Sequence, residues 1–140
     1  MLDVDKLLGA LDNESNESVV DLNWKDVHSL KNDMLQKLHL DRARLRDMHR
    51  KLKMYRYVDE VPDVRFGAYI RWIPLSGNNS GKLLPGGIVC DVKTDNGVTI
   101  VCRNRQHRFF QTKLGECMVF QKLSDQEMVI LSALEYLQDK

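Results

Sequence analysis

The residues best suited to chemistry lie in one stretch, Arg103-Asn104-Arg105-Gln106-His107-Arg108-Phe109-Phe110. Bases interleaved with aromatics can neutralise phosphates and stack on nucleobases. Strand alternation sends one of Phe109 and Phe110 into a core, which leaves at most one as a stacking platform. The same residues equally suit a solvated turn beside a strand. A second basic set spans residues 37–56, with eight bases against Asp41 and Asp47. These charges could track a duplex backbone or lie on an acidic protein surface. The candidate contacts to nucleic acid or to an acidic surface are therefore Arg42, Arg46, Arg50, Lys53, Arg103, Arg105 and Arg108.

Other chemistries lack their parts. Gly77-Asn78-Asn79-Ser80-Gly81-Lys82-Leu83 invites comparison with a phosphate-binding loop. That loop needs four residues between its glycines and Ser or Thr after the Lys. Here the gap is three residues and Leu83 follows, so the stretch reads as a flexible surface loop. His28, His39, His49 and His107 do not cluster with cysteines or carboxylates at ligand spacing. Cys90, Cys102 and Cys117 form no C-x-x-C pair, and an odd number cannot close into intramolecular bridges. They read as buried thiols of a reducing compartment. No local signature places Ser, His and Asp together as a triad. The expectation is a non-enzymatic chain with no catalytic residues, no metal site and no cofactor.

The elements that must carry the basic residues are a long helix and a set of strands. Asn23 can cap a helix with Asp26 three residues on, and Leu22 can staple against Val27. From there Val27, Met34, Leu38, Leu45, Met48, Leu52 and Tyr55 fall near heptad core positions, with Lys31 and Asp41 as misfits in core slots. A helix over residues 24–56 would span about 50 Å. That exceeds what a small barrel can cover, so those seven side chains are expected to meet another helix or another chain. Pro62 ends the helix. Five strand patterns follow between Arg65 and Leu123, including a hairpin signal at Thr94-Asp95-Asn96-Gly97. The strands are expected near residues 66–73, 87–93, 98–103, 108–113 and 117–122. Ser124 with Glu127 forms a capping box for a last helix, residues 125–138, expected to close the open end of a barrel.

Charge is segregated along the chain. Net charge is only +1, yet residues 1–23 carry six acids against Lys6 alone. An acidic arm can fold back on a basic helix or leave it free for an anionic partner. The expected organisation is an acidic flexible arm at 1–23, a long basic helix at 24–60 and a small barrel with its closing helix at 65–140. No apolar run approaches the roughly 20 residues that cross a bilayer. The N-terminus lacks the basic start and apolar core of a signal peptide, so an intracellular protein is expected.

The strand pattern resembles an SH3-like small barrel of the kind shared by Tudor and KOW modules. That resemblance implies a five-stranded antiparallel barrel, and with the two helix patterns the expected fold is α+β: a long N-terminal helix, the barrel and a C-terminal helix. Three further segments are Gly67-Ala68-Tyr69-Ile70-Arg71-Trp72-Ile73, Gly86-Gly87-Ile88-Val89-Cys90 and Phe120-Gln121-Lys122-Leu123-Ser124-Asp125-Gln126-Glu127. They resemble small uncharacterised proteins of nucleocytoplasmic large DNA viruses that infect algae and protists. Minor capsid proteins of such viruses are often helix-plus-barrel pieces lying between larger shell proteins. The resemblance implies a structural or interaction protein that cements larger coat proteins in the virion, and the apolar stripe of the helix adds self-association as a further expectation. The alternative reading is a nucleic-acid-binding module that uses the basic helix and the Arg103–Arg108 turn.

Overall fold

A computed structural model describes residues 3–20 and 22–138, the side chains of Ser15 and Ser18 excepted. Met1, Leu2 and Asp21 of the acidic segment lie outside the described residues. The class is α+β. Helices α1 (Val4–Asp12), α2 (Trp24–Gln36) and α3 (Arg42–Lys51) precede strand β1 (Tyr55–Val58). Strands β2 (Tyr69–Pro74), β3 (Gly87–Lys93), β4 (Thr99–Arg103), β5 (Phe109–Lys113) and β6 (Cys117–Lys122) follow, and helix α4 (Asp125–Gln138) ends the fold.

The single long helix expected over 24–60 is not formed. The first helix, α1, has only 9 residues, and the basic stretch is divided into α2 and α3 with 13 and 10 residues. Asp41, a misfit in a continuous heptad, is the N-cap of α3 and accepts a hydrogen bond from Arg44 N at 2.8 Å. Just before it, His39 takes a left-handed conformation with φ 53° and breaks the helical path. Lys31, the other misfit, is buried. Its ammonium donates to the carbonyls of Leu52 at 2.8 Å, Lys53 at 3.4 Å and Tyr55 at 3.0 Å. It thereby satisfies carbonyls that follow the end of α3, where the helix dipole favours a cation. Both residues that spoil one long helix organise two short ones.

The five-stranded barrel is also replaced. Six strands form an open antiparallel sheet in the order β1-β6-β2-β3-β4-β5. The added strand is Tyr55-Arg56-Tyr57-Val58, which pairs with β6 from Tyr55–Lys122 to Val58–Val119. It occupies the edge of β6 that a closed barrel needs for its own last strand. β1 and β5 therefore remain as the two edges.

Three apolar clusters hold the elements. One face of the sheet, here the inner face, gathers Val58, Ile70, Trp72, Val89, Ile100, Cys102, Leu114 and Val119. The opposite, outer face is covered at β1, β6 and β2, where Ile73, Met118 and Phe120 pack with Leu35, Met48 and Leu52 of the α2–α3 region. The third cluster joins Ala10, Val19, Val27, Leu123, Ile130 and Leu131. Here α4 packs with α1 and α2 instead of closing the end of a barrel. Its Ser124–Glu127 capping box is present, with Ser124 N donating to Glu127 at 2.9 Å and Glu127 N to the Ser124 hydroxyl at 3.1 Å. The acidic segment, expected as a flexible arm, is drawn into this cluster. Val19 is fully buried, and the Asn16 amide donates to Ala10 O at 2.8 Å and to Gln126 at 3.1 Å.

Candidate functional site

The Arg103–Phe110 stretch forms the end of β4, a turn and the start of β5. Asn104 sets its shape. The side-chain oxygen accepts from Gln106 N at 2.9 Å and Arg108 N at 3.1 Å, and Asn104 N donates to Arg108 O at 3.0 Å. His107 supplies the reversal with φ 61°. Arg103, Arg105 and Arg108 are all exposed around this fixed turn. The two phenylalanines divide as strand alternation requires. Phe110 packs on the inner cluster, its ring 5.3 Å from that of Trp72, while Phe109 is 67% exposed.

A long loop from Leu75 to Gly86 returns along β2 and builds the facing wall. Leu84 N donates to Trp72 O at 2.9 Å, the Tyr69 hydroxyl to Pro85 O at 2.7 Å and Arg71 Nε to Leu84 O at 3.1 Å. Gly86 permits the close approach. It has φ +79°, and a Cβ there would lie 1.8 Å from Ile70 O. Between this wall, the Asn104–Gln106 turn and the end of β6 lies a groove of about 800 Å³. Tyr55, Tyr69, Trp72 and Phe110 line it together with Arg71, Arg105 and Lys122. Among the described residues, no carboxylate lines it. Burial raises the Tyr55 phenol above its ordinary value, with Arg71 and Tyr69 close enough to perturb it. The phenol stays neutral at physiological pH and can donate a hydrogen bond.

The expected site residues separate into different roles. Val27, Met34, Leu38, Leu45, Met48, Leu52 and Tyr55, expected to face a partner helix, all pack within the chain's own clusters. The division of the long helix turns each half back onto the sheet or onto α4. Of the basic residues, Arg42 and Arg46 are exposed on α3, and Lys53 is exposed just beyond it. Arg50 pairs with Asp47, which also binds Lys51 at 2.9 Å. Of the expected basic residues Arg105 lines the groove, and so does Tyr55, expected instead to face a partner helix. Tyr69, Arg71 and Lys122 were not singled out by the sequence. The signal for Tyr69 and Arg71 was the alternation in β2, which places them opposite the Ile70–Trp72 core face. Lys122 ends β6, where burial does not alternate and no such signal existed.

Arg56 has a different place altogether. It is buried on β1, with its guanidinium 3.9 Å from Asp63 and 4.0 Å from Glu127. Arg65 reaches the other oxygen of Glu127 at 3.2 Å. Gln121 binds the same region, accepting from Arg65 N at 2.8 Å and donating to Asp63 O at 2.9 Å. This polar cluster joins the sheet to the start of α4 and is used by the fold.

Among the described residues, no group of three His, Cys, Asp or Glu side chains could hold a metal ion. No helix among them is long and apolar enough to cross a membrane. Comparison with family models, curated proteins and solved structures finds no match for the chain.

Proposed function

We propose that this protein is a non-catalytic nucleic-acid-binding module that works through the groove beside the Asn104–Arg108 turn. The observation that carries this reading is the lining itself, with three cations, four aromatic rings and no carboxylate among the described residues. Cations gathered along one groove neutralise phosphates and release counterions. Of the rings, Tyr55 and Tyr69 are half-buried and reach solvent, where they give nucleobases a surface to stack on, while Trp72 and Phe110 pack in the inner cluster behind them. The Asn104 hydrogen bonds fix the backbone of the turn that carries Arg105, which lowers the ordering cost of binding for the backbone.

The test is retention of a labelled oligonucleotide by the full chain across a salt series. If Arg71, Arg105 and Lys122 each meet one phosphate, a plot of log affinity against log salt has a slope of about −2 for a single strand. Exchanging Arg105 and Lys122 for Glu abolishes retention. Binding that ignores salt, or that survives this exchange, removes the reading.

A scaffold role, of the kind a shell-cementing subunit has, draws on a different observation. Val4, Leu8 and Leu11 lie at helical spacing on α1 and are 55%, 55% and 43% exposed. Leu7 and Ala10 of the same helix face the chain's own cluster. Sedimentation of the parent and a Leu8→Asp variant tests this second reading. Concentration-dependent association that the substitution removes supports it, and a monomer at every concentration ends it.

A further inference from the structure

The strand registers place a mixed row of cations and aromatics across the outer face of the whole sheet. Tyr55 on β1 stands opposite Lys122 on β6. Ile70 stands opposite Gln121, which in an antiparallel ladder sets Tyr69 beside Lys122 one step further on. Tyr69 is opposite Ile88, Ile88 opposite Arg103, and Arg103 opposite Phe109. Residues directly opposite in a ladder share a face. The row therefore reads Tyr55, Lys122, Tyr69, Ile88, Arg103, Phe109, one residue from each strand.

This row lies where the helical cover ends. In the next row Tyr57 pairs with Phe120, and Phe120 is fully buried beneath the α2–α3 region. In the open row Lys122 and Arg103 are exposed, Ile88 is 39% exposed and Phe109 is 67% exposed, while Tyr55 and Tyr69 are half-buried. Five strand spacings of about 4.8 Å give the row a length of roughly 24 Å. The groove, with Arg71 and Arg105, lies along part of it. Phe109 belongs to none of the three apolar clusters; it follows Arg108 and stands opposite Arg103 with most of its ring in water.

Resting on the nucleic-acid reading above, we infer that this row is a track for single-stranded nucleic acid that runs across the β-strands. Tyr69 and Phe109 stack on unpaired bases, and Lys122 and Arg103 hold the phosphates between them. A duplex keeps its bases paired and stacked within itself, so it can use the cations but not the rings. A phenylalanine ring offers nothing to phosphate, which sets Phe109 apart from every polar member of the row. A row of this length suits about four nucleotides, the short end of single-strand site sizes.

Four probes separate the outcomes on the full-length chain: fluorescein-labelled oligothymidylate, its duplex with the complementary strand, inorganic polyphosphate and polyglutamate. The expected result is preference for the single strand. Phe109→Ala should weaken oligothymidylate binding roughly ten-fold, the loss of one base-stacking contact, and leave polyphosphate binding unchanged. Phe109→Trp should restore the single-strand affinity. Arg103→Gln with Arg105→Gln should weaken oligothymidylate and polyphosphate together. Equal binding of all nucleic-acid and phosphate probes, with no effect of Phe109→Ala, overturns the track and leaves the nucleic-acid reading standing. Binding of polyglutamate alone, or of no probe, overturns both. Thermal unfolding of each variant shows that losses are not losses of fold.

Discussion

Phe110 on β5 and Trp72 on β2 pack with ring centroids 5.3 Å apart and planes at 46°, although β3 and β4 separate their strands in the sheet. The contact requires the sheet to curl over its inner face. Gly87 on β3 leaves room for it. A Cβ at that position would lie 3.1 Å from the Phe110 ring and 2.7 Å from Arg103 O. The curl carries the arginine-bearing turn toward β2 and so creates the groove. Core packing and the candidate site are thus two sides of one bend.

Trp72 and Phe109 make opposite predictions for stability. Trp72 is 6% exposed within the inner cluster, so Trp72→Ala should cost about 3–5 kcal/mol. That is a large part of the stability of a domain this size. Phe109→Ala should change stability by no more than about 0.5 kcal/mol, as for an exposed position without buried contacts. Urea unfolding of the two variants measures the contrast. Equal losses would place Phe109 in the core and remove it from the surface row.

Lys31 gives a prediction in pH. Burial lowers its ammonium from the ordinary 10.5 to about 8. Between those values the unfolded chain binds the proton more tightly than the folded one. Stability from this group is therefore complete above about 10.5 and falls as pH drops through about 8. Tyr55, Tyr57 and Cys102 are shifted upward by burial and act in the reverse sense at alkaline pH. The clean measurement is the difference between the parent and Lys31→Met, in which those groups cancel. This difference should change in the parent's favour from pH 8 to 10.5. In the histidine range it also carries His28 and His49, whose imidazoles burial and the Lys31 charge hold below their ordinary value, so only the alkaline window reports Lys31 alone. At neutral pH, Lys31→Met leaves the Leu52, Lys53 and Tyr55 carbonyls without their donor and should cost about 1–3 kcal/mol. A flat difference across the window means that the ammonium is not perturbed by burial.

How much of this was legible in the sequence depended on the range of the interaction responsible. The spans of β3, β6 and α4 follow from local alternation and from the Ser124–Glu127 box, and the structure reproduces them. The break between α2 and α3 was visible as two anomalies, Lys31 and Asp41, in an otherwise apolar stripe. Reading it required treating an imperfect heptad as two helices joined by a capped turn. Strand β1 was hidden because Leu52 and Tyr55 continue helical spacing. Tyr55-Arg56-Tyr57-Val58 becomes a strand by pairing with β6, more than sixty residues away. The transverse row was not legible, because no local pattern fixes which residue of one strand stands opposite which residue of the next. Only the register supplies that.

The Glu127 cluster predicts an asymmetric response. Glu127 is 1% exposed and faces both Arg56 and Arg65, while its side chain also caps α4. Glu127→Gln retains an oxygen for the cap and removes the charge. It should cost about 3 kcal/mol, the low end for removing one partner of a buried ion pair, because Asp63 remains beside Arg56. Chemical denaturation of Glu127→Gln against Glu127→Ala separates charge from cap. The alanine variant should lose about 1 kcal/mol more. A neutral glutamine variant would show that the arginines are sufficiently solvated without Glu127.

The cysteines should react in a fixed order. Cys90 is exposed, Cys117 is half-buried with its sulfur 3.1 Å from the Thr112 hydroxyl, and Cys102 is buried in the inner cluster. Burial pushes the Cys102 thiol up to about 12, so it holds almost no thiolate at neutral pH. A disulfide reagent at pH 7.5 should modify Cys90 first and Cys117 more slowly. Cys102 should react only on unfolding. The order can be read by mass spectrometry of peptides taken at successive times. Denaturant should bring Cys102 to the rate of Cys90, because the barrier is access and solvation and not the thiol itself. Cys90→Ser should remove the fast phase without changing oligonucleotide retention, since Cys90 does not line the groove. Native Cys102 reacting as fast as Cys90 would mean that the inner face of β4 opens to solvent. The Trp72–Phe110 packing that bends the sheet would then not be stably formed.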